Sequence, residues 1–461
     1  MSFSPTIFAG QRFAVVGLGR NGLPAAHALR AMGADIVAWD DSARARDVAR
    51  AAGIVVGEPE MAGLSALVLS PGIPHCLPAP HPIARRAVAA GVPILSDAEL
   101  LYRAVRASGS TARFAGITGT NGKSTTTALL AHVLAVAGRG VAAGGNLGTA
   151  ASALPLLDGD GVYVLEMSSY MLERIVALRF DAAAMLNLSA DHLDRHGDMD
   201  GYIRAKRIIF QRQAAGDVAV VGVDDAASRA MAESLRGGPA RMLTVSGSGA
   251  ADIFVQDGTL RDAAGTIAEL ARAPALPGPH NAQDAAAAAA MALHLGVSRA
   301  DIAAGLASYP GLPHRQELVG TIRGVRFVND SKATNADSAA WALACYPKVV
   351  WIAGGTAKDG DIAPLAPLFG HVAEALLIGR DAPLLAATLA GHGVPHRIVG
   401  TLEAAVAEAW ALARAGAAET VLLSPACASW DQFTGFDQRG DRFRALVQDI
   451  ASRDFASGDI A

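Results

Sequence analysis

Cysteine is scarce. Only Cys76, Cys345 and Cys427 occur in 461 residues, and an odd set with no CxxC pair excludes a disulfide scaffold or a thiolate zinc site. Charge is sparse as well. Charged residues make up 18% of the chain and the net charge is −4, far from the excess that keeps a chain disordered. A chain so near neutrality carries no global draw toward nucleic acid or an anionic membrane. The opening MSFSPTIFAGQRF has no basic segment leading into a long apolar one, so no secretion signal is expected. The most apolar stretches are Ala-rich and are broken by His, Gly or Asp before the roughly 18 residues a membrane span requires. No repeat period marks a solenoid. What these absences leave is a soluble, cytoplasmic protein. Its 51% hydrophobic content is enough for several cores, and its length suggests about three domains at roughly 150 residues each.

The dominant rhythm is a short β-branched run, a Gly-rich turn and an Ala/Leu-rich stretch of helical period. Strands are expected at Phe13–Val16, Ala66–Leu69, Val162–Leu165, Ala182–Leu188, Val218–Val221, Val349–Ala353, Ala375–Ile378 and Thr420–Leu423. Near-continuous apolar strands alternating with helices read as βαβ units around parallel sheets, so the fold class is α/β. The polar stretch Arg103–Arg113 and the proline-bearing Ser308–Arg315 are the candidate boundaries, giving domains at 1–103, 104–310 and 311–461. Between Gly237 and Ala273, short alternating runs suggest a small inserted β-hairpin region.

Two glycine clusters carry chemistry. AVVGLGRNGLP sets Gly17, Gly19 and Gly22 between a strand and a helix, a pattern that lets backbone N–H groups approach a diphosphate. The next strand ends in Asp40 and Asp41, near where a ribose-binding acid is expected. A second turn, Ser70–Pro74, could close the same crevice. The stronger cluster is FAGITGTNGKSTTTALL. Its glycines, Gly116, Gly119 and Gly122, depart from the strict Walker spacing, which needs glycine where Ile117 stands. The physics is unchanged: Gly119, Thr120, Asn121 and Gly122 offer an anion nest, Lys123 reaches terminal phosphates, and Ser124 or Thr125 can ligate magnesium. An enzyme that spends ATP on a substrate carrying a nucleotide diphosphate uses both clusters.

Further along, Glu166 ends the strand Val162–Leu165 and suits a magnesium ion bridging phosphates. The loop after Leu188 offers His192, Asp194 and His196, whose spacing matches no zinc site. From the residues alone Lys206 reads as a solvated helix residue. Asn281 or Asp284 could cap the Ala-rich helix and meet a base or ribose. Arg315, Lys332 and Lys358 lie at turns or strand ends and suit anionic substrates. Cys427 reads as packing.

The strings GITGTNGKST, EMSSY, DHLDRH, GPHN, LPHRQE, NDSKATN and SPACASWDQF resemble the Mur ligase family over nearly the whole chain, and the last three are similar to its glutamate-adding branch. That resemblance implies a Rossmann-like N-terminal domain for a UDP-sugar, a central P-loop ATPase-type domain with a mostly parallel sheet, and a Rossmann-like C-terminal domain. The implied reaction joins glutamate to UDP-N-acetylmuramoyl-L-alanine through an acyl phosphate, using ATP and two Mg²⁺ ions, in a monomer. By position, Gly17, Leu18, Gly19, Arg20, Asn21, Asp40, Ser70, Pro71, Gly72 and Asn146 would hold the UDP-sugar. ATP would meet the P-loop residues with Asn281, Asp284, Arg315 and Asp330, and glutamate would meet Lys332, Thr334, Lys358, Ser429 and Phe436. Lys123, Glu166, His192 and Lys206 would be catalytic, with Ser124, Glu166, His192 and a carbamylated Lys206 holding metal. Three departures stand out: Asp284 where the family often has Asn, WDDS at the end of the second strand, and Trp430 beside Ser429. Open alternatives are a ligase for L-glutamate or another amino acid, a folylpolyglutamate synthase-like enzyme (disfavoured by the N-terminal GxGxxG unit), a nicotinamide oxidoreductase built on the first cluster, and a non-catalytic nucleotide-binding regulator.

Overall fold

Three sheets organise the chain in the computed structural model, which describes residues 2–146, 148–357 and 361–456. The first holds β1 (Arg12–Val16), β2 (Asp35–Trp39), β3 (Ala66–Leu69) and β4 (Ile94–Leu95), ordered β2-β1-β3-β4 and parallel throughout. The second holds β5 (Arg113–Thr118), β6 (Val141–Gly145), β7 (Val162–Glu166), β8 (Ala182–Met185), β9 (Val218–Gly222), β10 (Arg241–Ser246), β11 (Ile253–Gln256), β12 (Thr259–Asp262) and β13 (Gly265–Glu269). Their order is β13-β12-β11-β10-β9-β8-β5-β7-β6. The third, ordered β14-β15-β19-β16-β17-β18, comprises β14 (Glu317–Ile322), β15 (Val325–Asn329), β16 (Val349–Gly354), β17 (Val372–Ile378), β18 (His396–Gly400) and β19 (Thr420–Leu423).

All eight strands expected from composition are present. They are buried on both faces because βαβ crossovers place helices on each side of a parallel sheet. Ala66–Leu69, Val162–Glu166 and Thr420–Leu423 have no exposed position. The stretch expected as a small inserted hairpin is larger and belongs to the main sheet: β10 pairs parallel with β9, and β11, β12 and β13 extend the same sheet, the last two pairings antiparallel. The polar residues from Arg103 onward do not begin as a linker, since the helix Asp97–Ala107 runs through them. The chain divides into two compact units after Tyr309: the first two sheets lie in one, and the third lies in the other together with Ala275–Gly278. Among the described residues no helix is long and apolar enough to cross a membrane.

The topology dictates where chemistry can occur. In the first sheet the order reverses at β1, and in the second at β5, each flanked by later strands on both sides. Loops leaving the carboxyl ends of strands at such a switch point diverge and leave a crevice. Gly17 and Ser70 follow β1 and β3; the P-loop and Asn187 follow β5 and β8, and Glu166 ends β7.

Candidate active site

In the first sheet the diverging loops enclose a cavity of about 430 Å³ lined by Gly17, Gly19, Arg20, Asn21, Asp40, Asp41, Ser70, Pro71, Gly72, Ile73 and Asn146. Of the ten residues expected at a UDP-sugar, only Leu18 is missing from that lining; it is buried in the core, and its N–H donates to Asp40 Oδ2 at 2.6 Å. Gly17 has φ +87°, and a Cβ there would lie 2.7 Å from Ser70 Cβ, so the turn can close only on glycine. The Ser70 hydroxyl donates to Gly17 O at 2.7 Å and ties the two turns together. Asp40 spends its second oxygen on the Ser42 N–H. Asp41 also faces the cavity, held by Trp39 Nε1 at 3.2 Å and His81 Nε2 at 3.1 Å. The His81 bond is the main reason its carboxyl is held below the usual range.

Three buried charges, none of them legible as a motif, join this crevice to the second sheet. Asp97 Oδ2 accepts from Asn21 Nδ2 and from the Ala151 N–H, both at 3.0 Å; burial raises its pKa. Glu99 is fully buried and gathers the N–H groups of Val176, Ala177 and Leu178 at 2.8–3.0 Å, with Arg103 on its Oε1 at 2.8 Å. Arg174 sends its guanidinium to the carbonyls of Leu69, Ser70 and Ile73. Apart from Arg103, four residues from Glu99, each partner is more than 50 residues away along the chain, so no local pattern announces these contacts.

Past β5 the chain turns through Gly119 and Gly122 into the helix Lys123–Val136. Gly122 precedes that helix at φ +82°, and its missing Cβ would lie 2.2 Å from Asp284 Oδ1. The loop is anchored on β8: the Thr120 N–H donates to Asn187 O at 2.9 Å and the Asn121 N–H to Asn187 Oδ1 at 2.8 Å. The N-terminal end of that helix points its backbone N–H groups toward the loop, the arrangement that suits an anion. Asn281 and Asp284 lie inside the helix Gly278–His294, both buried, instead of capping it. Asp284 lies against the P-loop backbone.

Two ammonium groups converge on one oxygen. Lys123 Nζ donates to Gly119 O at 2.9 Å and to Thr120 O at 2.7 Å, while Lys206 Nζ donates to the same Gly119 O at 2.8 Å. Lys206 is 2% exposed, with its ammonium 4.6 Å from the centre of the Tyr202 ring. This overturns its reading as a solvated helix residue. Its pKa lies well below the ordinary lysine value, through burial first and the repulsion of Lys123 second. Glu166, buried at the end of β7, accepts from Asn146 Nδ2 at 3.0 Å, so a cavity-lining residue also touches the acid beside the P-loop. His192 sits at φ +53° with a half-exposed ring 3.4 Å from Asp191. His196 is buried against Ser169 Oγ at 2.9 Å, and burial and Arg195 push its pKa down to about 4. Ser124 is half-buried and Thr125 buried in the first helical turn. Among the described residues no three His, Cys, Asp or Glu side chains cluster as a metal site.

In the other unit, β15 and β19 end in two polar turns that bond to each other. Asp330 is buried, accepting from Ser424 Oγ at 2.7 Å and the Gln316 N–H at 3.2 Å, and burial raises its pKa to about 7. Arg315 precedes Gln316, and its charge lowers the Asp330 pKa against that rise. Lys332 Nζ lies 5.0 Å from the centre of the Phe436 ring. Thr334 is half-buried and Ser429 buried. Lys358 lies outside the described residues. Arg439, which carried no motif signal, is buried beneath these turns and donates to Ser331 Oγ, Ser331 O and Cys427 O. Trp430 is 67% exposed, so it does not fill the space beside Ser429. Cys427 is buried, and burial raises its thiol to about 11, which leaves it protonated at neutral pH.

Comparison with known proteins places this geometry among relatives. A model of the Mur ligase middle domain matches residues 117–292, and a model of the Mur ligase glutamate ligase domain matches residues 314–427. The chain is 50% identical over 452 residues to the UDP-N-acetylmuramoylalanine–D-glutamate ligase of Paramagnetospirillum magneticum, covering 96% of this chain and 98% of that protein. It is 48% identical to the protein of the same name from Caulobacter vibrioides, covering 96% and 97%. Among solved structures, MurF from Acinetobacter baumannii aligns over 98% of this chain and 93% of its own, with a TM-score of 0.59 at 18% identity.

Proposed function

The chain belongs to the Mur ligase family, and from that premise we propose that it joins D-glutamate to UDP-N-acetylmuramoyl-L-alanine at the expense of ATP, a step of peptidoglycan synthesis. The observation that carries this reading is the contact of Asn146 with both halves of the site: it lines the glycine-loop cavity and bonds Glu166 beside the P-loop. A nucleotide-sugar seated in that cavity has its far end directed toward the place where a γ-phosphoryl would be transferred. We assign three domains, with the first boundary moved from 103 to the end of the helix Asp97–Ala107: residues 1–107, a Rossmann-like one for the UDP-sugar; 108–310, a P-loop one for ATP; and 311–461, a Rossmann-like one supplying Arg315 and Asp330 to ATP and Lys332, Thr334, Lys358, Ser429 and Phe436 to glutamate.

In the first step a substrate carboxylate oxygen attacks the γ-phosphorus and ADP leaves, giving an acyl phosphate. In the second the glutamate amine attacks the acyl carbon, phosphate leaves, and the amine gives up its proton. The P-loop N–H groups and Lys123 meet the charge that builds on the transferring phosphoryl group. The residues fit magnesium held jointly with nucleotide phosphates. Such an ion keeps several waters and takes only one or two protein carboxylates, so Glu166, His192 and a P-loop hydroxyl suffice without a dense acidic cluster. When bound, magnesium would neutralise phosphate charge. Lys206 supports the same reading. A lysine whose ammonium is disfavoured presents free amine, and amine adding to carbon dioxide with loss of a proton gives a carbamate. That would turn one of two crowded cations into an anion suited to metal.

The test is ligation by the purified full chain with UDP-N-acetylmuramoyl-L-alanine, ATP and Mg²⁺, comparing D- and L-glutamate by phosphate release and product mass. Phosphate should appear only with all substrates, product should form with D-glutamate, and Lys123→Ala should cost about 100-fold or more in turnover. Full-rate hydrolysis without glutamate, or product only with L-glutamate, overturns the proposal.

A further inference from the structure

Arg174 is 1% exposed, and among the described residues every hydrogen bond of its guanidinium goes to one turn of the first sheet. Nη1 donates to Leu69 O and Ser70 O, both at 2.9 Å; Nη2 donates to Ile73 O; Nε donates to His75 Nδ1 at 3.3 Å. Burial and the charges of Arg174 and Arg195 press His75 down to about 4, so the imidazole is neutral and can accept. The turn so held is Ser70–Ile73, four consecutive residues of the cavity lining, and Ser70 in turn holds Gly17. At its other end Arg174 is clamped by backbone: its carbonyl accepts the Ser96 N–H at 3.0 Å, beside the Glu99 nest.

Filling a core does not require a guanidinium; Leu or Met would occupy the space without desolvating a charge. What the guanidinium adds is a rigid fork of donors that fixes several carbonyls at once. Two of those acceptors, Ser70 and Ile73, precede Pro71 and Pro74. The peptide units so held therefore contribute no N–H to any ladder that could hold the turn instead. We propose that Arg174 is the positioning residue of the nucleotide-sugar cavity, shaping the turn after β3 from a site eight residues past Glu166. This rests on the functional reading above. Geometry at the cavity thus depends on a side chain carried by the ATP-binding sheet.

Calorimetric titration of the full-length chain decides it, with UDP-N-acetylmuramoyl-L-alanine and a non-hydrolysable ATP analogue as separate probes. Arg174→Met should weaken the nucleotide-sugar tenfold or more while the ATP analogue changes less than twofold. Arg174→Lys, whose ammonium lacks the planar fork, should fall between. Unchanged sugar affinity in Arg174→Met, or equal losses for both ligands, overturns the proposal. If Arg174→Met fails to melt cooperatively, Arg174→Lys carries the test, with a sugar-only loss above threefold as the criterion. Wild-type protein that binds the ATP analogue but not the nucleotide-sugar overturns the functional reading itself, and this inference with it.

Discussion

Replacing Glu99 by Gln removes one charge and one acceptor from a fully buried carboxylate while keeping its shape. Three backbone N–H groups and Arg103 Nε point at that carboxylate. Hydrogen bonds to a buried charge contribute about 1.5–3 kcal/mol and neutral ones about 1, so neutralising the acceptor weakens three bonds by roughly 1 kcal/mol each. The new amide also turns its own N–H toward a donor, orphaning a buried group at about 1–3 kcal/mol more. The expected loss is about 4–6 kcal/mol, which at roughly 2–4 °C per kcal/mol lowers the melting temperature of the unit carrying it by about 8–24 °C. Differential scanning calorimetry measures this directly. Arg103→Met serves as the reference, because it removes one bond to the carboxylate, about 1.5–3 kcal/mol, and leaves the three backbone N–H groups in place. If Glu99→Gln melts within about 1 kcal/mol of wild type, or no lower than Arg103→Met, the nest does not hold the segment 176–178 as argued.

Gly122→Ala should raise the ATP KM at least tenfold and leave nucleotide-sugar affinity unchanged. Alanine at φ +82° costs about 1–2 kcal/mol, and its Cβ meets Asp284 Oδ1. Steady-state kinetics check this, and the added change Asp284→Ser should recover part of the loss. An unaltered ATP KM would refute it. Asp330 carries a pH prediction. Its folded pKa of about 7 lies above the unfolded value, so the stability it contributes is fully present below about pH 4 and is lost as pH rises to about 7. Asp330→Asn should therefore melt higher relative to wild type at pH 8 than at pH 5, by about 3 kcal/mol. An equal difference at both pH values would count against a buried, raised carboxyl.

The sequence alone determined what short stretches of chain decide for themselves. Apolar β-branched runs become buried strands because neighbouring helices leave no wet face, and all eight expected strands are there. The glycine loops were legible too. A positive φ at Gly17 or Gly122 and a helix start behind it are local requirements, written in consecutive residues. Tertiary structure decided which charges are buried, and there local reading failed. Lys206 looks like any lysine on a polar helix until β5 and the P-loop close over it. Arg174 and Glu99 resemble surface charges until segments 70 to more than 100 residues away bring carbonyls and N–H groups to them. Asn281 and Asp284 were expected at a helix cap, yet the helix begins earlier and buries them, Asp284 against Gly122. The physical reason is the same throughout. Backbone conformation answers to neighbours along the chain, whereas the cost of burying a charge is set by whatever the completed fold places around it.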